Sequence, residues 1–219
     1  MQSPRLETRF EDLPLTLPVF PLTGVLLLPR AKLPLNIFEP RYLNMVTDAM
    51  RADRLIGMIQ PHHDADGGGA PALYDVGCAG RITSYSETED GRILITLSGV
   101  CRFRVAAELE TIRGYRMVRP RWQEFDGDFS DSPVEIDRDR LTAALKTYLS
   151  ANNIEADWAA VADASTERLV TTLAMIFPFE ASEKQALLEC ATVAERAETV
   201  MTLMELSAAE KGDPSHARH

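Results

Sequence analysis

Residues 17–45 read LPVFPLTGVLLLPRAKLPLNIFEPRYLNM, and the character of the chain changes twice within them. Pro18 and Pro21 rule out a helix interior and place any strand at an edge or a bend. Thr23 and Gly24 read as a turn between Val19-Phe20 and the apolar residues 25–28. Residues 32–38, KLPLNIF, alternate as a strand does. At Pro40 the period switches. Tyr42, Leu43, Met45, Val46, Ala49 and Met50 recur at helical spacing, with Pro40 suited to the first helical position. Strand signals thus enclose one helix.

Working outward, residues 55–59 (LIGMI) form a short strand pattern. Strand signals resume over residues 76–82, 83–88, 93–98, 102–110 and 115–119. Glu89, Asp90 and Gly91 make a hairpin-type turn, and Gly99 reads as a strand end. Ile93, Ile95 and Leu97 alternate with Leu94, Thr96 and Ser98. Many short strands around one helix predict a small, irregular barrel or open sandwich.

The remainder reads as helices. Residues 126–133, DGDFSDSP, resemble an acidic linker. Leu141, Ala144, Leu145, Tyr148 and Leu149 then mark an amphipathic helix, and Trp158 sits in a short helical segment. Leu169, Leu173, Ile176 and Phe177 mark another helix, stopped by Pro178. Ser182 with Gln185, and Thr192 with Glu195, have capping-box spacing. The last helix carries Val193, Ala197, Val200, Met201 and Met204, read as packing core. The predicted organisation is a β-rich part over residues 13–125 and a helical part over residues 134–210. Residues 1–12 and 212–219 are expected to be flexible tails.

At 219 residues the chain suits one large domain or two small ones. Residues 1–120 hold 14 Lys+Arg and 14 Asp+Glu, whereas residues 121–219 hold 9 and 19, which accounts for the whole net charge of −10. That acidity argues against broad binding to a phosphate backbone. Three cysteines, Cys78, Cys101 and Cys190, without C-x-x-C spacing, fit packed thiols in a reducing compartment. Glu7, Glu11 and Asp12 precede any apolar stretch and prolines interrupt it, so no signal peptide or membrane span is read and a cytoplasmic location is expected.

Catalytic signatures are missing. None of G-x-x-x-x-G-K-[ST], G-x-G-x-x-G, H-E-x-x-H or G-x-S-x-G occurs. His62, His63, Asp64 and Asp66 invite a metal reading, but Gly67, Gly68 and Gly69 beside them give no fixed support, so the segment reads as a surface loop. No metal, cofactor or catalytic residue is expected, and a binding module is favoured over an enzyme.

The residues resemble a known family. Leu17-Pro18-Val19-Phe20-Pro21-Leu22, Val25-Leu26-Leu27-Leu28-Pro29 and Leu33-Pro34-Leu35 look like the opening of the Lon protease N-terminal, substrate-binding domain. Ile37-Phe38-Glu39-Pro40-Arg41-Tyr42-Leu43-Asn44-Met45 is similar to its stand-alone bacterial members. Ala79-Gly80-Arg81-Ile82, Gly99-Val100-Cys101-Arg102-Phe103, Lys184-Gln185-Ala186-Leu187-Leu188-Glu189 and Ala194-Glu195-Arg196 follow in family order. The resemblance implies an α+β fold: a PUA-like pseudo-barrel with one embedded helix, followed by an α-helical bundle. In full Lon proteases this domain captures substrates, and ATPase and Ser-Lys peptidase modules follow it; neither module is read here.

The leading expectation is therefore a non-catalytic polypeptide-binding module serving protein quality control or substrate delivery. Its partners would be unfolded or apolar polypeptide segments, together with a protease or chaperone. The candidate contacts are Phe20, Leu22, Phe38, Arg41 and Tyr42. Against this stands a core role for Phe20, Leu22 and Phe38, and an ion pair or cap for Glu39 and Arg41. RNA binding is the alternative, through Arg102, Arg104, Arg113, Arg116, Arg119 and Arg121 with Tyr115 and Trp122 for stacking, although Glu108, Glu110 and Glu124 interrupt that face. A cryptic peptidase is the third reading.

Overall fold

The computed structural model describes residues 8–62, 71–110, 113–130 and 135–212. The chain divides into two compact units, Met1–Asp131 and Ser132–His219. The first contains β1 (Leu17–Pro21), β2 (Lys32–Ile37), α1 (Pro40–Arg51), β3 (Leu55–Ile59), β4 (Val76–Glu87), β5 (Ile93–Leu109) and β6 (Arg116–Arg121). The sheet order is β2-β5-β4-β3-β1-β6, and β6 pairs back onto β5, so five strands close into a ring with β2 as an added edge. The length of β5 makes this possible. Its first part pairs β2 from Ile93 to Ser98, and its last part pairs β6 from Arg104 to Leu109. Phe103 fills the ring. It is fully buried against Gly57 and Gly77, where an added Cβ would come within 2.6–2.9 Å of its ring.

Three local expectations are corrected. β1 is not an edge or a bend; it pairs β3 on one side and β6 on the other. Its prolines fit because each lies where one ladder has run out. Pro18 precedes the β3 register, which opens at Val19, and Pro21 lies past the β6 register, which closes at Val19. The apolar run 25–28 has no regular secondary structure, and its Leu26, Leu27 and Leu28 are buried core. Gly99 does not end a strand. β5 runs through it beside a register shift, because only a glycine passes there: a Cβ would lie 1.9 Å from the Leu28 carbonyl oxygen. The predicted strands over residues 76–82 and 83–88 are one strand, β4.

The acidic linker is also corrected. Its described residues, 126–130, belong to the first unit: Gln123–Phe129 is a 3-10 helix, Phe125 is buried, and Asp128 forms an ion pair with Arg102 at 2.8 Å. Nor is all of the expected N-terminal tail without structure. Phe10–Asp12 is a 3-10 turn, and Phe10 meets Phe129 edge-on at 5.9 Å. Residues 1–7 and 213–219 lie outside the described residues.

The second unit holds α2 (Arg138–Ala151), α3 (Trp158–Asp163), α4 (Thr166–Ile176), α5 (Ala181–Glu189) and α6 (Val193–Gly212). Asp137, Asp157 and Ser165 cap the first three by accepting backbone N–H groups. The box on α5 is set earlier than the Ser182 spacing suggests. Glu180 is the cap, in the extended conformation a cap needs, and Glu183 takes its N–H at 2.7 Å. At α6, Thr192 accepts from the Glu195 amide at 3.1 Å, and Glu195 reaches back one residue further, to the Ala191 amide. The core contains Leu141, Leu145, Leu187, Val200, Met201 and Met204, with Tyr148 stacked on Phe177 at 4.5 Å. Together the mixed strand ring and the helices make an α+β protein. Among the described residues, no helix is long and apolar enough to cross a membrane.

Candidate functional site

The first turn of α1 projects beside the end of β1. Pro40 pre-sets the helix start, which puts Arg41 on the outside and Tyr42 on the inside. The Tyr42 ring packs on Phe20 of β1, with centroids 4.1 Å apart. Burial pushes the Tyr42 phenol pKa up, although Arg41 beside it pulls the other way. The Arg41 guanidinium lies 4.6 Å over the Tyr42 ring and is held by Glu39 at 2.8 Å.

Arg41 and Tyr42 line a cavity of about 150 Å³ with Pro21, Pro61, Pro71, Gly114, Tyr115 and Arg116. A second cavity of about 130 Å³ lies against Leu17, Pro18, Asp48, Leu55 and Met117, and Tyr115 walls it too. Both therefore follow β1 and β6. Arg116 is anchored by Glu108 and donates to the Pro71 carbonyl at 2.6 Å. Tyr115 donates its hydroxyl to Asp48 at 2.9 Å; burial first, and then that bond, push its pKa up. Proline and aromatic walls with a few fixed polar groups suit noncovalent capture of an apolar or aromatic chain segment.

The structure thus brings three of the five expected contacts together: Arg41 and Tyr42 at the cavity wall, Phe20 behind them. Leu22 is half-buried just beyond β1, its N–H bonded to the Ile59 carbonyl at 3.0 Å. Phe38 is 61% exposed at the end of β2, neither core nor cavity wall, with Arg92 5.9 Å from its ring centroid. The ion pair read for Glu39 and Arg41 is present. Sequence reasoning missed Pro61, Pro71 and Asp48 as site residues, and it read Tyr115 for RNA stacking and not for this cavity. Only Gly114, directly before Tyr115, hinted at a special backbone there, and it has φ +83°.

The other candidates look different in three dimensions. Five of the six arginines are paired: Arg102 with Asp128, Arg104 and Arg121 with Glu124, Arg113 with Asp48, and Arg116 with Glu108. Trp122 is buried and donates its indole N–H to the Pro14 carbonyl at 2.9 Å, so it is not a stacking platform. All three cysteines are buried and free of disulfides, and burial drives the Cys101 thiol pKa to about 12, far from a nucleophile's range. His62 stacks on Tyr74 at 3.9 Å, while His63, Asp64 and Asp66 lie outside the described residues.

The chain is similar to known proteins over most of its length. It is 27% identical to Lon protease 2 of Myxococcus xanthus over 128 residues, which is 58% of this chain and 15% of that protein. To the Lon protease of Heliobacterium modesticaldum it is 26% identical over 86% of this chain and 23% of the relative. It therefore spans less than a quarter of the length of these curated relatives. Among solved structures, the Lon N-terminal domain protein from Xanthomonas campestris matches with a TM-score of 0.59 and 26% identity, covering 85% of this chain and 97% of that one. The N-terminal domain of the Mycobacterium avium complex Lon protease has the same fold at a TM-score of 0.60 and 15% identity, covering 86% and 97%. The family model of the ATP-dependent protease La (LON) substrate-binding domain matches residues 16–205, and with that match the chain belongs to this substrate-binding family.

Proposed function

We propose that this chain is a polypeptide-recognition module that holds an extended apolar segment of a client protein in the cleft beside α1, and that it makes and breaks no bonds itself. The observation that carries the reading is the cleft: proline and tyrosine walls along β1 and β6, in a chain of a substrate-binding family. Tyr42, packed between Phe20 and the Arg41 guanidinium, fixes the cavity wall, and Arg41 offers that guanidinium to client carbonyls. Half-buried Leu22 and exposed Phe38 add apolar side chains on the same unit. The setting is cytoplasmic, and the clients are unfolded segments destined for a protease or chaperone in protein quality control.

Fluorescence anisotropy with labelled unfolded casein fragments tests this. The chain should bind apolar fragments in preference to scrambled polar controls. Arg41→Ala with Tyr42→Phe should weaken binding about tenfold, equivalent to ~1.4 kcal/mol. Equal binding of apolar and control fragments overturns the reading.

A further inference from the structure

Residues 113–115 lie between the two cavities, and they are bound to α1 much as a docked peptide would be. Arg113 Nε and the Tyr115 hydroxyl both donate to Asp48 Oδ2, each at 2.9 Å. Asn44 accepts from Arg113 Nη2 at 3.2 Å and donates to the Arg113 carbonyl at 3.4 Å. Gly114, at φ +83°, lies flat against the helix: a Cβ there would be 3.4 Å from Arg41 Cβ. Arg41, Asn44 and Asp48 stand at helical positions i, i+3 and i+7, so they form one stripe of α1. The segment thus uses a cation, a close-lying glycine and a phenol against one carboxylate, one amide and one helix face.

This contact is not sealed from water. The Arg113 and Asp48 side chains are 44% and 26% exposed, the range in which ion pairs are weak and exchangeable. Leu17 and Pro18 line one cavity and Pro21 the other, so β1 runs past both.

We infer that residues 113–115 are a built-in ligand on the α1 stripe, displaced by client segments that carry a cationic residue two positions before an aromatic one. Displacement removes Tyr115 from the shared wall and joins the two cavities into one groove along β1. On the α1 stripe the carboxylate is Asp48, which selects for the cation and repels an acidic client. This inference rests on the polypeptide-binding reading of the cleft and adds its specificity and its self-inhibition.

The test uses the full chain and three labelled seven-residue peptides: one with Arg-Gly-Tyr at its centre, its scramble, and its Glu-Gly-Tyr counterpart. Arg113→Ala/Tyr115→Phe should bind the Arg-Gly-Tyr peptide about tenfold more tightly than the wild type does. Asp48→Asn should lose the preference for that peptide over the other two, with circular dichroism confirming an unchanged fold. Equal affinity of the double variant and wild type, or a preference that survives Asp48→Asn, overturns the inference. Unfolded casein fragments are measured in parallel. Casein binding without any gain in the double variant sinks the built-in ligand alone. No binding of casein or peptide to any form sinks the polypeptide-binding reading with it.

Discussion

Arg196 of α6 donates its Nε–H to the Leu187 carbonyl of α5 at 2.8 Å, in the last turn of that helix. Lys184 of α5 does the same for α4, reaching the Met175 carbonyl at 3.4 Å. Each cation meets the carbonyl end of the preceding helix, where unsatisfied oxygens and the helix dipole favour positive charge. The Lys-Gln-x-Leu-Leu-Glu and Glu-Arg motifs thus have a physical task in the bundle, separate from the cleft.

Arg196→Ala should destabilise the helical unit by about 2–4 kcal/mol, because a buried carbonyl loses a charged donor and the stem leaves a void. Arg196→Met, which keeps much of the stem, should recover part of that loss. Urea denaturation followed by circular dichroism measures both.

Lys184 gives a pH signature. Burial lowers its pKa below the ordinary 10.5, so the unfolded chain binds the extra proton between the two values. Its contribution to stability therefore rises with pH through that window and levels off above 10.5. The stability difference between wild type and Lys184→Met, followed by urea melts from pH 7 upward, should shift in favour of the wild type.

Cys101 gives the opposite slope. Its pKa is raised from 9.0 to about 12 by burial and then by Asp128. The neutral thiol's contribution is complete below 9.0 and is lost as pH climbs toward 12. Cys101→Ala should flatten this decline. At pH 8, a thiol reagent such as dithiobis-nitrobenzoate should leave all three buried cysteines unmodified until denaturant is added.

The Arg102–Asp128 pair should be sensitive to one-sided change. Asp128 accepts from the Arg102 amide at 2.9 Å and from its guanidinium at 2.8 Å, while the guanidinium lies 4.8 Å over Phe125. Asp128→Asn leaves a buried cation short of its counter-charge and should lower stability by about 3–5 kcal/mol in thermal or urea melts.

Gly99→Ala should prevent the first unit from folding, since its Cβ would overlap the Leu28 carbonyl. Recovery of soluble protein with native near-ultraviolet dichroism would contradict the crossing at Gly99.

Local pattern was enough for much of this fold. Pro40 and the spacing of Tyr42, Met45, Val46 and Ala49 identify α1, and the LIGMI run matches β3 residue for residue. The errors came where a remote partner decides. Gly99 looks like a strand end until Leu28 is laid across it, and the acidic stretch looks like a linker until Arg102 claims Asp128. Pro18 and Pro21 mark an edge only if two ladders must overlap along all of β1, and they do not. Arg41 and Tyr42 stood out because they are sequence neighbours at a helix start. Tyr115 stood out only as a stacking candidate for RNA, and its place at this cavity was hidden because its partner Asp48 is 67 residues away.

The closure of the ring has a consequence for the order of assembly. The β4–β5 hairpin joins residues close in sequence, whereas Leu17 meets Val118 only after most of the unit has been made. Loop-closure entropy therefore makes the β1–β6 seam a late event, with the hairpin as the early template. Until β1 docks between them, β3 and β6 each present a bare edge to neighbouring chains. Shortening the chain from its start past Pro21 would make that transient exposure permanent, turning a closed ring into an open sheet prone to aggregate.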